Sequence, residues 1–284
     1  MKPKSYIGIT GFRTVDEVER IARHIESYPI GYVMFGITSS NKRLLDPTSS
    51  GKTSPPLKDI NALVKAVPRH HLPMIHYFTD NPETLAQEVV ALFEFCGLNV
   101  DTRPSLMCGL QLNATWPDPD QLNIIQEWCR TPIPITLQLP KEVLEKGLHH
   151  EVSARLKPYE GLIQYALIDP SGGQGRDVDL QMASQVMLEI AEYRKGITPG
   201  VAGGFNADNV APRIKNLAVE NICLHCNQAR AYDYCIDAQG GLRDTLFIQP
   251  VFPKDAKPLK ITALNTTQAC SYIDNALKAF CEEE

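Results

Sequence analysis

The sequence predicts an α/β fold with one domain, a closed (β/α)8 barrel spanning residues 1–284. Short apolar runs alternate eight times with segments of helical periodicity, which predicts parallel strands joined by crossover helices. The apolar runs are nearly continuous, as expected for strands that are covered on both faces. Eight such units in 284 residues favour a closed TIM barrel over an open doubly wound sheet.

The first unit shows the signals on which each element rests. Residues 5–10 form an apolar run before Gly11, which predicts a strand followed by a turn. Thr14 and Glu17 then have capping-box spacing, and apolar residues recur at helical intervals up to Ile25. The same signals predict strands over 5–10, 30–35, 72–78, 106–113, 133–139, 161–169, 200–202 and 234–237. They predict helices over 15–25, 57–67, 81–96, 118–129, 141–156, 178–194, 206–218 and 266–280.

Two segments interrupt this alternation. Residues from about 38 to 56 are rich in Ser, Thr, Pro, Gly and Lys, which predicts a long loop between the second strand and the second main helix. Arg43 in this loop is a candidate pocket residue, because the loop could close over an anionic substrate; a solvated, mobile loop is the alternative. Residues from about 243 to 262 are an apolar, proline-interrupted insertion before the last helix.

Composition excludes several classes of function. The formal net charge of −5 argues against a nucleic-acid surface, and no apolar run reaches the roughly 18 residues that span a bilayer. The first residues lack the apolar region of a signal peptide, so a cytoplasmic protein is expected. The eight cysteines are scattered, which indicates reduced thiols. Cys223 and Cys226 have a spacing that can hold zinc, but no second such pair accompanies them, so no metal site is expected.

Polar residues stand where the predicted strands end, and a barrel carries its function at that face. Thr10, Gln111, Asn113, Gln138 and Asp169 all lie at the carboxyl end of a strand. Polar side chains that point into a barrel are costly unless a ligand or a neighbour satisfies them. We therefore expect these residues to line a substrate pocket, with a hydrogen-bonded structural layer as the alternative.

Glycine turns follow the sixth, seventh and eighth strands. Backbone N–H groups in such turns can approach an anion closely, and barrels often bind phosphate beside the last two strands. Residues 205–209 after the second glycine pair are expected to begin a helix, whose first N–H groups would also favour an anion. The predicted phosphate site is Gly173, Gly203, Gly204, Gly240 and Gly241.

Several of these motifs resemble one family. Residues 167–179 resemble the Leu-Leu-Asp…Gly-Gly-Thr-Gly…Phe-Asp signature of phosphoribosylanthranilate isomerase. Residues 202–210 are similar to its Ala-Gly-Gly-Leu…Asn-Val motif. Residues 237–241, 8–10 and 111–113 resemble its Asp-Val-Ser-Ser-Gly motif, the end of its first strand and its Gln-Leu-His motif. The resemblance implies a phosphate-binding barrel that binds ribulose phosphates and performs an Amadori-type isomerisation.

The resemblance also implies an acid–base pair, of which one member is retained. The family's acid on strand six carries over to Asp169, but its basic cysteine on strand one is replaced by Ile7, and its strand-four histidine by Asn113. His76, near the end of strand three, is the candidate replacement base; the alternative is a buried or outward-facing histidine bonded to backbone. Asp237 ends strand eight, where such a residue more often orients a loop.

Two functions remain open from the sequence. The first is an isomerase-type proton transfer on a phosphorylated sugar or related metabolite, with Asp169 as acid or base. The alternative is a non-catalytic phosphometabolite-binding or regulatory barrel that has lost its catalytic base. No cofactor is expected in either case, the expected partner is a phosphorylated small molecule, and the oligomeric state stays open, a homodimer included.

Overall fold

The computed structural model describes residues 5–26, 28, 32–98, 108–113, 116–129, 131–139, 151–169, 177–193, 196–217, 234–248 and 259–281. Eight parallel strands close in chain order, and the last pairs with the first, so the predicted barrel is confirmed. The strands are β1 (Tyr6–Thr10), β2 (Tyr32–Ser40), β3 (Leu72–Phe78), β4 (Gly109–Leu112), β5 (Ile135–Gln138), β6 (Tyr165–Ile168), β7 (Thr198–Ala202) and β8 (Cys235–Ala238).

Helices surround this barrel. They are α1 (Val15–Ile25), α2 (Asn41–Leu45), α3 (Leu57–Ala66), α4 (Leu85–Phe95), α5 (Pro119–Cys129), α6 (Val152–Leu156), α7 (Leu180–Tyr193), α8 (Val210–Leu217) and α9 (Thr266–Cys281). The predicted capping box at the start of α1 is present: the Thr14 hydroxyl accepts from the Glu17 N–H, and the Glu17 carboxylate accepts from the Thr14 N–H. Among the described helices, none has the length and apolarity that crossing a bilayer requires.

Side-chain alternation along the strands separates two apolar layers. Odd-numbered residues of β1 such as Ile7 and Ile9 pack outwards with helix residues such as Val18 and Ile21. Burying aliphatic side chains of this size stabilises the fold by roughly 1.5–3 kcal/mol each. The opposite strand faces fill the inside of the barrel with Tyr6, Met34, Leu72, Met74, Tyr165 and Cys235. Polar residues continue those inward faces towards the carboxyl ends, where the candidate site lies.

The long loop expected over residues 38–56 is more regular than predicted. β2 continues to Ser40, because Thr38 to Ser40 pair with residues 76–78 of β3. α2 follows directly and is built largely from good helix formers, Lys42, Arg43, Leu44 and Leu45. The Thr38 hydroxyl also donates to the Thr53 carbonyl at 2.7 Å, which folds the remaining loop back onto the end of β2.

The insertion expected over residues 243–262 contains a β-ribbon that the sequence did not indicate. Strands β9 (Arg243–Ile248) and β10 (Leu259–Leu264) pair antiparallel and form a sheet separate from the barrel. The Thr262 hydroxyl donates to the Lys52 carbonyl at 3.0 Å, and the Arg243 guanidinium donates to the Gly11 carbonyl. The ribbon is thereby attached to the loops that follow β2 and β1.

Candidate functional site

A pocket opens at the carboxyl ends of the barrel strands. Thr10 comes from β1, His76 from β3, and Asp237 from β8, so side chains from around the whole barrel meet there. The pocket is lined by Thr10, His76, Gln111, Asn113, Gln138, Leu167, Asp169, Ala202, Gly203, Gly204, Phe205, Asp237, Ala238, Gln239, Gly240 and Gly241.

Most of the residues that the sequence singled out meet in this pocket. Two do not. Arg43 is not among the lining residues; its Nη1 donates instead to Ser49 Oγ at 2.6 Å within its own loop. The expectation that Arg43 is a pocket residue is therefore not supported, because the loop satisfies the guanidinium internally. Gly173 lies outside the described residues, as do Cys223 and Cys226.

Strand β1 presents small or polar groups to the pocket. Ile7, which the family resemblance set at the cysteine position, packs in the outer core and does not line the pocket. The inward positions are Tyr6, which lies deeper in the barrel, and then Gly8 and Thr10. A Cβ added to Gly8 would lie 2.8 Å from Asp237 Oδ1 and 2.8 Å from the Met34 methyl carbon. Glycine at this position therefore leaves the room that the Asp237 carboxyl group occupies.

Thr10 connects the first, third and eighth strands through its hydroxyl group. This hydroxyl lies 2.9 Å from Asp237 Oδ1 and 3.0 Å from Oδ2, and it donates to that carboxyl group. The same oxygen lies 3.5 Å from both ring nitrogens of His76. All three side chains are buried, at 2, 6 and 2 % exposure for Thr10, Asp237 and His76. The network holds their positions at the floor of the pocket.

Burial shifts the pKa values of the two titratable members of this network in opposite directions. It lowers the pKa of His76 to about 3, so the ring is neutral near pH 7 and binds a proton weakly. This disfavours His76 as the replacement base and suits it to hydrogen bonding as a neutral imidazole. Burial also raises the pKa of Asp237 to about 7, and the negative charge of Asp169 acts in the same direction. Hydrogen bonds from Thr10 and the Ala238 N–H oppose the rise.

Asp169 immediately follows β6 and is 7 % exposed. Gln138, at the end of neighbouring β5, donates from Nε2 to Asp169 Oδ2 at 3.2 Å. This contact orients the carboxyl group towards the pocket. On β4, Gln111 Nε2 donates to Asn113 Oδ1 at 3.0 Å, while the buried Gln111 Oε1 has no hydrogen-bond partner among the described residues. A buried acceptor of that kind fits a ligand hydroxyl or a water molecule.

The glycine turn after β7 has a backbone that requires glycine. Gly203 has φ 113° and Gly204 has φ 68°, in the left-handed region that side chains disfavour. Arg213 supports this turn from α8: Nη1 donates to the Gly203 carbonyl at 3.0 Å, and the guanidinium lies 5.4 Å from the centre of the Phe205 ring. Its Nη2 also contacts Asp177 Oδ1 at 2.6 Å.

The helix after this turn begins later than the sequence predicts. α8 starts at Val210 rather than at Asn206, because two asparagine side chains bond the intervening turn. Asn206 Oδ1 accepts from the N–H groups of Asp208 and Asn209, and Asn209 Oδ1 accepts from the Asn206 N–H. Those three N–H groups are thus engaged within the turn, so they are not free donors for an anion.

The turn after β8 lies against the turn after β7. Gly240 begins a short 3-10 helix, Gly240–Leu242, and a Cβ on Gly241 would lie 2.9 Å from the Asn206 Cβ. The two turns therefore approach each other as closely as backbone allows. No Lys, Arg or Cys side chain is among the described residues that line the pocket.

Asp237 and Arg213 are the site residues that sequence reasoning undervalued. Strand alternation already sets Cys235 and Asp237 on one face of β8, which is a signal for Asp237. Arg213 left no such signal, because its contact with Gly203 depends on where α8 packs. No group of three or more His, Cys, Asp or Glu side chains suited to a metal ion occurs in the described part of the chain.

No protein-family model matches the chain, and no curated protein matches its sequence. Solved structures do share its fold. Phosphoribosylanthranilate isomerase from Thermus thermophilus superposes with a TM-score of 0.55 at 13% identity, over 96% of this chain and 98% of that one. TrpF from Jonesia denitrificans gives 0.54 at 16% identity, over 98% of each chain. A phosphoribosylanthranilate isomerase in complex with reduced 1-(o-carboxyphenylamino)-1-deoxyribulose 5-phosphate gives 0.53 at 14% identity, over 96% of this chain and 99% of that one. At these identities the similarity shows the fold alone: the chain shares the (β/α)8 barrel of these structures.

Proposed function

We propose that the chain binds a phosphorylated sugar or a related metabolite and catalyses an isomerase-type proton transfer with Asp169 as acid or base. One observation carries this proposal: the buried Asp169 carboxyl group shares a pocket with the glycine turns after β7 and β8. A phosphate on the turns would leave the sugar carbons to extend across the pocket towards Asp169. The sugar-phosphate ligand of one barrel with the same fold supports this choice of substrate class.

The remaining polar groups suit the hydroxyls of such a ligand. Gln111 offers a buried carbonyl oxygen without a described partner. Asn113 directly follows the same strand, and Gln138 ends the neighbouring β5. An amide accepts a hydroxyl hydrogen without itself titrating, so these residues fix orientation and leave proton transfer to the carboxyl groups. The neutral His76 ring serves the same purpose.

Calorimetric titration with D-ribulose 5-phosphate, and with inorganic phosphate, tests the binding half of the proposal. Gly204→Asp places a negative charge and a side chain in the turn at φ 68°, so we expect binding of both probes to be lost. Gly161→Asp is the matched control, because Gly161 also has a positive φ of 79°, has open space around it and is not a pocket residue. Equal affinity in Gly204→Asp and the natural chain would overturn the phosphate site.

Incorporation of solvent deuterium into carbon-bound positions of D-ribulose 5-phosphate, followed by NMR, tests the catalytic half. We expect exchange by the natural chain and its loss in Asp169→Asn with binding retained.

The alternative, a binding barrel without catalysis, is favoured by one observation. The described residues that line the pocket include no Cys or Lys, and their histidine has little affinity for a proton near neutral pH. Tight binding of the phosphosugar without any deuterium exchange would establish that alternative.

A further inference from the structure

Asp237 is a buried carboxyl group that the proposed reaction does not yet use. It is 6 % exposed and lines the pocket, and its carboxyl group accepts from the Thr10 hydroxyl and the Ala238 N–H. These two donors supply one hydrogen each, so a carboxylate here keeps unused acceptor capacity. A buried structural carboxylate is normally paired with a cation. Within the described part of the chain, no lysine or arginine forms an ion pair with Asp237.

The position of Asp237 relative to Asp169 follows from the strand order. Asp169 comes directly after β6, Asp237 lies on β8, and only β7 separates them. Two strand spacings set the backbones roughly 10 Å apart, and both side chains extend inwards from that distance. The residue of β7 in register with Asp237 is Ala202, whose methyl group leaves the space between the carboxyl groups open.

We propose that Asp237 is the second proton-transfer group of this site, acting as the acid while Asp169 acts as the base, with Thr10 as its positioning residue. This rests on the proposed function. The pair of carboxyl groups on strands six and eight would replace an acid–base pair that draws one member from strand one.

The proposed step balances in atoms and electrons. Asp169 removes a proton from the carbon beside the carbonyl, and the C–H electron pair forms the enediol double bond. The carbonyl π electrons take the proton that Asp237 releases. In the second half the neighbouring enediol hydroxyl gives its proton to the Asp237 carboxylate. The proton on Asp169 goes to the carbon that was the carbonyl carbon, so both carboxyl groups return to their starting states.

The surroundings of Asp237 favour a state in which the two carboxyl groups of Asp169 and Asp237 together hold one proton. Charged or titratable groups that face it are Asp169 across β7, His76 beyond Thr10, Tyr6 of β1, Cys235 of its own strand and Tyr272 of α9. Burial and the Asp169 charge raise the pKa of Asp237 to about 7, and none of the other groups supplies a positive charge near neutral pH. An acid of that kind is well matched to proton transfer at neutral pH.

Deuterium exchange into D-ribulose 5-phosphate, measured across pH, tests the assignment. We expect Asp237→Asn to lower the exchange rate by about 10²–10⁴-fold with little change in affinity, and to remove the loss of rate that the natural chain shows above pH 7. Thr10→Val should lower the exchange rate and shift the pH above which the rate falls. Thr10→Ser should restore the rate and its pH dependence, because serine keeps the hydroxyl group. Asp16→Asn, on the outer face of α1, is the control and should behave as the natural chain does.

Aspartate ¹³Cγ NMR of the natural chain supplies a readout that needs neither catalysis nor a folded Asp237 variant. We expect one aspartate to titrate near pH 7, and its midpoint to fall in Asp169→Asn because the like charge is removed. No aspartate titrating above pH 6, or an Asp237→Asn variant that exchanges deuterium at the natural rate, would overturn the assignment and leave the proposed function in place. Binding of D-ribulose 5-phosphate without exchange by the natural chain would instead contradict the isomerase proposal itself.

Discussion

The Thr10 hydroxyl lies within 3.0 Å of both carboxyl oxygens of Asp237, which joins the first and last strands of the barrel at the seam where it closes. The two residues are 227 positions apart in the chain. Because Thr10 also lies 3.5 Å from the His76 ring, this contact fixes the floor of the candidate pocket.

Asp237 should make stability fall as pH rises. Its pKa is raised to about 7 from 3.8, so between these values the folded chain holds a proton that the unfolded chain releases. Stability is therefore lost progressively through this window, and the loss is complete above pH 7. The shift corresponds to roughly 4 kcal/mol.

In Asp237→Asn the side chain at this position does not titrate, so this pH dependence should be absent. Between pH 4 and pH 8, the free energy of unfolding of this variant should therefore rise relative to that of the natural chain, by up to about 4 kcal/mol. Urea unfolding at the two pH values measures it. Asp16→Asn, at an exposed ion pair with Arg20, should show no comparable change. A difference for Asp237→Asn that is independent of pH would contradict the raised pKa.

His76 should remain neutral throughout the physiological range. Its pKa is lowered to about 3 by burial, so the unfolded chain takes up a proton below pH 6.5 that the folded chain refuses. Stability is lost as the pH falls from about 6.5 to 3. In histidine NMR spectra the His76 ring signals, assigned with His76→Gln, should not move between pH 8 and pH 5. A midpoint above pH 5 would show that the ring is more accessible than its buried position indicates.

Arg213 should matter to phosphate binding although it does not line the pocket. Its hydrogen bond holds the Gly203 carbonyl, and charged hydrogen bonds of this kind contribute roughly 1.5–3 kcal/mol. We expect Arg213→Ala to weaken binding of inorganic phosphate about tenfold, measured by calorimetry. Asp177→Asn removes the ion pair of Arg213, but the Asp177 side chain is 80 % exposed, so the effect should be small. Equal losses in the two variants would mean that the ion pair, not the contact with the turn, supports the site.

Gly8→Ala should destabilise the barrel from the inside. The added Cβ would meet Asp237 Oδ1 and the Met34 methyl at 2.8 Å and the Ile236 carbonyl at 3.0 Å, and overpacking of this kind costs about 1–3 kcal/mol. Gly200→Ala is the matched control on β7, because its nearest neighbour is the flexible end of Leu167 at 3.1 Å. Urea unfolding should rank Gly8→Ala well below Gly200→Ala; the reverse order would contradict the packing.

The fold and most of the pocket could be predicted from the sequence because both depend on local patterns. Apolar runs and helical periodicity define the units, and parallel strands bring their ends to one face. Thr10, Gln111 and Asp169 are therefore grouped by their positions at strand ends alone. The same reasoning could not fix the position of Arg43, since a cation in a long loop has many possible partners; in the structure its guanidinium donates to Ser49 Oγ.

The properties of Asp237 depend on the closed barrel and could not be predicted locally. Its raised pKa requires its removal from water and the charge of Asp169 two strands away. The outward packing of Ile7 could not be predicted for a related reason. A motif match gives the position in the chain but does not decide to which face of β1 a side chain points.

The seam between β1 and β8 has a consequence for synthesis on the ribosome. A nascent chain that has emerged only as far as β7 already contains Asp169 and the Gly203–Gly204 turn, but Thr10 still lacks the carboxyl group it will hold. Neither half of the barrel alone contains the complete pocket. A growing or truncated chain therefore lacks the complete pocket, which forms only when the eighth strand pairs with the first.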